Sequence, residues 1–290
     1  YSKKGRQKDK RNWKIKVVDF ATRLTSTVGI LVFLFYLLWG FNYNRVRMER
    51  QLDLDVRPLN SEEIREEMGK ATDMVEEAQK LLNTPTAMTP NILPKSLEDL
   101  IRTSLKGVLS DLGYPATGKA RVKSFWPGDL MMRFNVAGIY LPYLGEAYLP
   151  HNILPVERPF SLAHEMVHVY GITDEGTANF LAYLACEASK DPAVRYSGRF
   201  SYWMYIAGEF LRLSPTEYRE LWTTLPEGMK ADLQAISEHR QKYKGPLRKI
   251  GQKVQQRYLK SQGVQEGIRS YNRLVVLLAA WNRSQENTTR

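Results

Sequence analysis

Apolar and polar positions alternate in three different ways along the chain. Residues 24–42 (LTSTVGILVFLFYLLWGFN) carry no charge. Nineteen helical residues rise about 28 Å, close to the depth of a hydrocarbon core, so this run predicts a membrane-crossing helix over 24–43. Trp39 and Tyr43 sit where an interfacial aromatic belt is expected. The pattern then becomes amphipathic. Ile64, Met68, Ala71, Val75, Ala78 and Leu82 form one stripe, which predicts a helix over 61–83 that packs on the rest of the domain. Pro85, Pro90 and Pro94 mark a loop, and Ser96 opens a further helix along Leu97, Leu100, Ile101, Leu105, Val108 and Leu112.

Between residues 120 and 149 the character changes again. Val122–Trp126, Met131–Val136 and Gly138–Leu141 are β-prone and broken by Gly and Pro, which predicts a small hairpin or sheet. An edge strand there is placed to hold an extended peptide by strand addition. Beyond it the periodicity is helical, through Phe160–Val169, Ala178–Ala185, Trp203–Leu211, two helices opened by Pro215 and Pro226, and an apolar terminal helix over Tyr271–Trp281. The expected fold class is mainly α with a small β-sheet, an α+β domain behind one membrane helix.

Charge refines this picture. Nine bases against two acids in residues 1–23 carry +7 of the net +11. The excess is a basic arm beside the apolar run, not a spread-out nucleic-acid surface, and no base-reading module accompanies it. By the positive-inside rule the arm is cytoplasmic and everything after residue 45 lies outside. The expected location is a bacterial inner membrane, with one crossing in this chain. A start at Tyr1 reads as a fragment or processed product. The single cysteine, Cys186, excludes an intrachain disulfide and reads as a core residue.

The candidate chemistry is His164-Glu165-Met166-Val167-His168, an H-E-x-x-H signature in a helix-compatible apolar run. Histidines four apart on a helix reach one metal ion, and the intervening Glu165 can act as general base. There are only 4 histidines in the 290 residues, which makes a chance match rare. Gly171 can end this helix in a left-handed cap, Thr173 can cap the next, and Asp174 and Glu175 fall in its first turn. Catalytic zinc takes three protein ligands and leaves one position open, so Asp174 or Glu175 should complete a Zn²⁺ site. Counting three residues past the glycine selects Asp174, as in metzincins. Glu175 paired with Asn179 on one helix face is the gluzincin-like alternative, with Asn179 supporting the ligands. Glu175 is the favoured ligand and Asp174 the runner-up.

Several blocks resemble a family of bacterial membrane-anchored H-E-x-x-H proteins catalogued as a domain of unknown function. They are Trp39-Gly40-Phe41-Asn42-Tyr43-Asn44-Arg45, Ala137-Gly138-Ile139-Tyr140 with Pro142 and Gly145-Glu146-Ala147, His164 to Asn179 followed by Phe180–Leu184, and Tyr258-Leu259-Lys260 with Ser270–Arg273. The resemblance covers roughly residues 30 to 280. It implies a zincin-like metallopeptidase domain over 96–290, behind a basic arm (1–23), a membrane helix (24–43) and a helical linker region (44–95). It also implies that the chain retains the last of several membrane helices. An E-x-x-x-N segment supplies the third ligand in this family and in the anti-repressor-type metallopeptidases it resembles, which here is Glu175 with Asn179. The chain departs from the pattern at Thr177, where a second Glu is common, and at Val169, where a Gln is common.

These readings converge on a zinc-dependent hydrolase of peptide or protein substrates, with His164, His168 and Glu175 holding the ion and Glu165 taking the proton from water. The oxyanion donor is open among Tyr271, Tyr196, Arg273, His239 and His151. The alternative is a non-catalytic metal-binding or envelope-protein-binding module on the same scaffold. Substrate and oligomeric state are not encoded in any motif.

Overall fold

A computed structural model describes residues 3–261 and 273–288. The chain divides into two compact units, Tyr1–Phe41 and Asn42–Arg290. The first is one helix, α1 (Lys3–Leu38). Its stretch Asn12–Leu38 is long and apolar enough to cross a membrane, and its apolar window is wholly unburied. The helix begins earlier than the apolar run because the flanking Lys and Arg are good helix formers. It ends before residue 43, where Trp39 gives way to a 3-10 turn over Gly40–Asn44. A side chain at Gly40 would collide with the Tyr36 ring.

The second unit is mainly helical. In chain order it contains α2 (Met48–Gln51), α3 (Ser61–Leu82), α4 (Leu97–Asp111), β1 (Val122–Phe125), α5 (Gly128–Arg133), β2 (Ile139–Leu141) and β3 (Glu146–Pro150). Then follow α6 (Arg158–Val169), α7 (Glu175–Glu187), α8 (Pro192–Leu213), α9 (Pro215–Thr224), α10 (Glu227–Lys242), α11 (Pro246–Ser261) and α12 (Arg273–Thr288). One expected strand is a helix instead: Met131–Arg133 belong to α5. Leucine and methionine favour a helix over a strand, Asp129 lies in its first turn, and Asn135 closes it with a positive φ of 61°.

α7 is the axis of the core. Phe180, Leu181, Ala182, Ala185 and Cys186 are fully buried, as expected for a helix apolar on nearly all sides. α4, α6, α8 and α12 surround it. α8 comes so close that a Cβ on Gly198 would lie 2.5 Å from that of Cys186. Burial raises the Cys186 thiol far above its usual range, so it packs as an apolar group. The stripe of α3 lies on α8, tied by the Tyr202 hydroxyl to Glu67 at 2.7 Å and the Trp203 indole N–H to Thr72 at 3.0 Å. α12 buries Leu274, Val275, Leu277 and Leu278, which makes it a core helix.

The sheet has the order β1-β3-β2. β1 runs parallel to β3 with Val122 opposite Ala147, and β2 runs antiparallel to β3 with Tyr140 opposite Ala147. All three strands lie against α6. The small edge strand β2 therefore sits beside the helix that carries the histidine motif.

A candidate metal centre

Helix α6 is anchored by its apolar face, where Leu162, Ala163, Met166 and Val167 are buried. That burial fixes its rotation and aims His164 and His168 the same way, with ring centroids 4.7 Å apart. The helix ends as the Gly171 spacing predicts. Gly171 takes a φ of 85°, and its N–H donates to the His168 carbonyl at 2.8 Å. This turn folds Ile172 back so that its carbonyl lies 2.7 Å from His168 Nδ1. A proton on Nδ1 then satisfies that carbonyl and turns Nε2 toward His164 and Glu175, the usual way a ligating histidine is oriented.

α7 begins immediately afterwards with Asp174 as its N-cap, in place of the expected Thr173. Asp174 Oδ1 accepts from both the N–H and the hydroxyl of Thr177, each at 2.7 Å. Its Oδ2 accepts from Arg273 at 3.0 Å, and the same guanidinium reaches Glu49 at 2.7 Å. Both Asp174 oxygens face cap and cation, away from the histidines. Thr177, at the position where a second Glu is common, serves this cap. Glu175, one residue on, points the other way. Its Oε2 lies 3.2 Å from His164 Nε2 and 3.5 Å from His168 Nε2, and the two Nε2 atoms are 3.0 Å apart.

These three atoms form a nearly equilateral triangle. Ligand bonds of about 2.0–2.1 Å at tetrahedral angles give donor separations of about 3.3–3.4 Å, so the set fits a tetrahedral ion within a few tenths of an ångström. Two imidazoles and one carboxylate also match the preferred donors of zinc. Among the described residues, His164, His168 and Glu175 are the one group of His, Cys, Asp and Glu side chains whose donor atoms could hold a metal ion together. The three donors are also coupled electrostatically. Burial opposes a charge on His168, but the Glu175 carboxylate outweighs it and holds the imidazole above its usual range. Burial likewise opposes a charge on Glu175, and the two histidines outweigh it and hold that carboxyl far below its usual range.

Glu165 lies beside this triangle at the floor of an open cleft of about 420 Å³. Its carboxyl is buried, and Oε2 has no hydrogen-bond partner among the described residues. Burial raises its pKa, the histidines oppose the shift, and Glu175 adds to it. Gly138, just before β2, packs directly on the carboxylate, and a Cβ there would overlap Oε1. Asn179 is buried and hydrogen-bonded to Tyr205 of α8. Burial and the Glu175 charge both raise the Tyr205 phenol, and the hydrogen bond with Asn179 opposes them. Phe160, Met204 and Ala137 supply apolar walls.

The other expected donors that the structure describes have neighbours of their own. Tyr196 donates to buried Asp232 at 2.8 Å, His151 Nδ1 accepts from the Gly128 N–H at 3.0 Å, and the His239 ring stands against Tyr243. Arg273 holds the α7 cap. Tyr271 lies outside the described residues. Gly138, Tyr205 and the Ile172 carbonyl join the site without any spacing in the sequence that assigns them to it. Only the carbonyl has a signal nearby, in the Gly171 turn.

The family described as Protein of unknown function (DUF3810) matches residues 1–279. The chain belongs to this family. No curated protein and no solved structure matches the chain. For this DUF3810 member, the chemistry must therefore be argued from the site itself.

Proposed function

We propose that this DUF3810 protein is a membrane-anchored zinc metallopeptidase on a zincin-like scaffold. The observation that carries the proposal is the meeting of His164 Nε2, His168 Nε2 and Glu175 Oε2 within 3.5 Å of one another beside a carboxylate that faces a cleft. His164, His168 and Glu175 would hold the ion. When bound, zinc supplies Lewis acidity and a nucleophile at neutral pH.

The chain's own groups do the rest. Glu165 accepts a proton from the attacking water and passes it to the nitrogen of the departing amine, a task suited to a carboxyl whose pKa burial raises. The Tyr205 hydroxyl is a donor for the oxygen that gains negative charge. β2 is an edge strand whose entry residues, Ala137 and Gly138, line the cleft. An extended peptide adding to that edge would cross above Glu165. α1 would anchor the protein in a bacterial inner membrane. The basic arm would lie in the cytoplasm and the second unit outside.

The test is zinc content and peptide-library hydrolysis of the detergent-solubilised chain, wild type beside Glu165→Gln. Bound zinc in both, with cleavage by the wild type alone, is the expected result. Cleavage by the variant would remove Glu165 from the mechanism. Zinc without any cleavage would favour the non-catalytic metal-binding module, and no zinc would end both readings.

A further inference from the structure

Helix α11 is turned inside out. Its apolar residues Leu247, Ile250, Val254 and Tyr258 recur every three or four positions on one face. That face points to solvent, with Val254 61% and Ile250 50% exposed. Other positions turn toward the protein: Gly251 packs on the Phe134 backbone, and Gln255 borders the cleft. A helix stabilised by its own domain would bury the opposite side.

Charge says what covers the exposed face. α11 carries Arg248, Lys249, Lys253, Arg257 and Lys260 and no acid, and none of the five pairs with a carboxylate among the described residues. Lys249, Lys253 and Arg257 follow one another at intervals of four along the edge of the apolar face and line a shallow depression with Gln252 and Gln256. An apolar arc flanked by a cationic arc is the pattern of a helix that lies in a membrane interface. The cations favour anionic headgroups within about a Debye length of the surface. The Tyr43 hydroxyl donates to the Tyr258 hydroxyl at 3.0 Å, and Tyr43 follows the last residue of the apolar span by only five positions.

We infer that α11 is a second membrane contact, docking its Leu247–Tyr258 face on a bilayer surface rich in anionic phospholipid. The inference rests on the anchoring role proposed for α1 and is independent of the metal.

The experiment uses the full chain, one copy per nanodisc, in phosphatidylcholine alone or with phosphatidylglycerol. Val254→Cys carries an environment-sensitive fluorophore (Cys186 is buried and spared), and Leu211→Cys on α8 is the solvent-exposed control. Quenching by acrylamide at position 254 should fall several-fold in the anionic discs. It should recover in Lys249→Glu/Lys253→Glu/Arg257→Glu and in high salt, while position 211 stays unchanged throughout. Equal quenching at 254 in the two discs, high or low, overturns the inference, and a low value in both would indicate a protein partner on that face. Alkaline extraction of the unlabelled chain from vesicles tests the α1 anchor separately.

Discussion

Replacing Asp174 separates a helix cap from a metal ligand, because the two neighbouring acids face opposite ways. Asp174→Asn keeps a good N-cap, since the Asn oxygen still accepts from the Thr177 N–H and hydroxyl. It loses only the charge opposite Arg273, which retains Glu49 at 2.7 Å. The expected cost is about 1 kcal/mol, with zinc binding nearly intact. Asp174→Ala removes the cap as well and leaves two donors of buried Thr177 unsatisfied. Its cost is about 2–4 kcal/mol, a fall in Tm on the order of 5–10 °C for a unit of this size. Because Glu175 is held by that cap, zinc affinity should fall about 10- to 100-fold, the usual loss when a ligand's support is removed. Glu175→Ala does the reverse. It spares the cap and removes one ligand of three, roughly a quarter of the ~10–16 kcal/mol that four-ligand sites supply, or on the order of 10²-fold or more in affinity. Competitive chelator titration reads the affinity, and calorimetry of the metal-free chain reads the stability. If Asp174→Asn loses zinc as completely as Glu175→Ala, the reasoning is wrong and Asp174 is a ligand.

Three further outcomes follow from contacts around the site and at one distant cap. Gly138→Ala should keep its zinc but push the Glu165 carboxylate aside, lowering kcat/KM on the order of 10²-fold; unchanged turnover would show that Glu165 has room to give. Tyr205→Phe should lower kcat with little change in KM or zinc content, and a change confined to KM would assign Tyr205 to ground-state binding instead. At the start of α3, hydrogen bonds from Arg57 and the Asn60 N–H hold Glu63 down from the ordinary 4.5 to about 2. A lowered folded-state pKa gives stability that is present above the unfolded value and lost as pH falls through the folded one. The stability gap between wild type and Glu63→Gln in urea should therefore shrink from pH 4.5 to about 2, and a gap constant over that window would deny Glu63 its charged role.

The part of the site legible in the sequence is the part built by local geometry. His164 and His168 share a face because a helix repeats every 3.6 residues, and Gly171 forces the reversal that begins α7. Glu175 then returns to the histidines within eleven residues of the first of them. The parts that escape such reading depend on where distant backbones pass. Gly138 matters because its missing side chain makes room for Glu165, and Tyr205 matters because α8 crosses α7 next to Asn179. Neither distance is written in any local spacing. Met131–Val136 reads as a strand for a related reason, since a short apolar run fits either period until its ends are known.

α11 shows a further limit. Its periodicity is plain in Leu247, Ile250, Val254 and Tyr258, and periodicity says that these residues share a face. The ordinary expectation turns such a face inward. Only the placement of Gly251 against Phe134 and the exposure of Ile250 and Val254 show that the stripe faces outward. A pattern that would mark a core helix therefore marks a surface here. The same five cations, a minor share of the chain's positive charge when read as composition, acquire a direction once the fold is known. What a stripe does is decided by which side the rest of the chain already occupies, and that is a property of the tertiary fold.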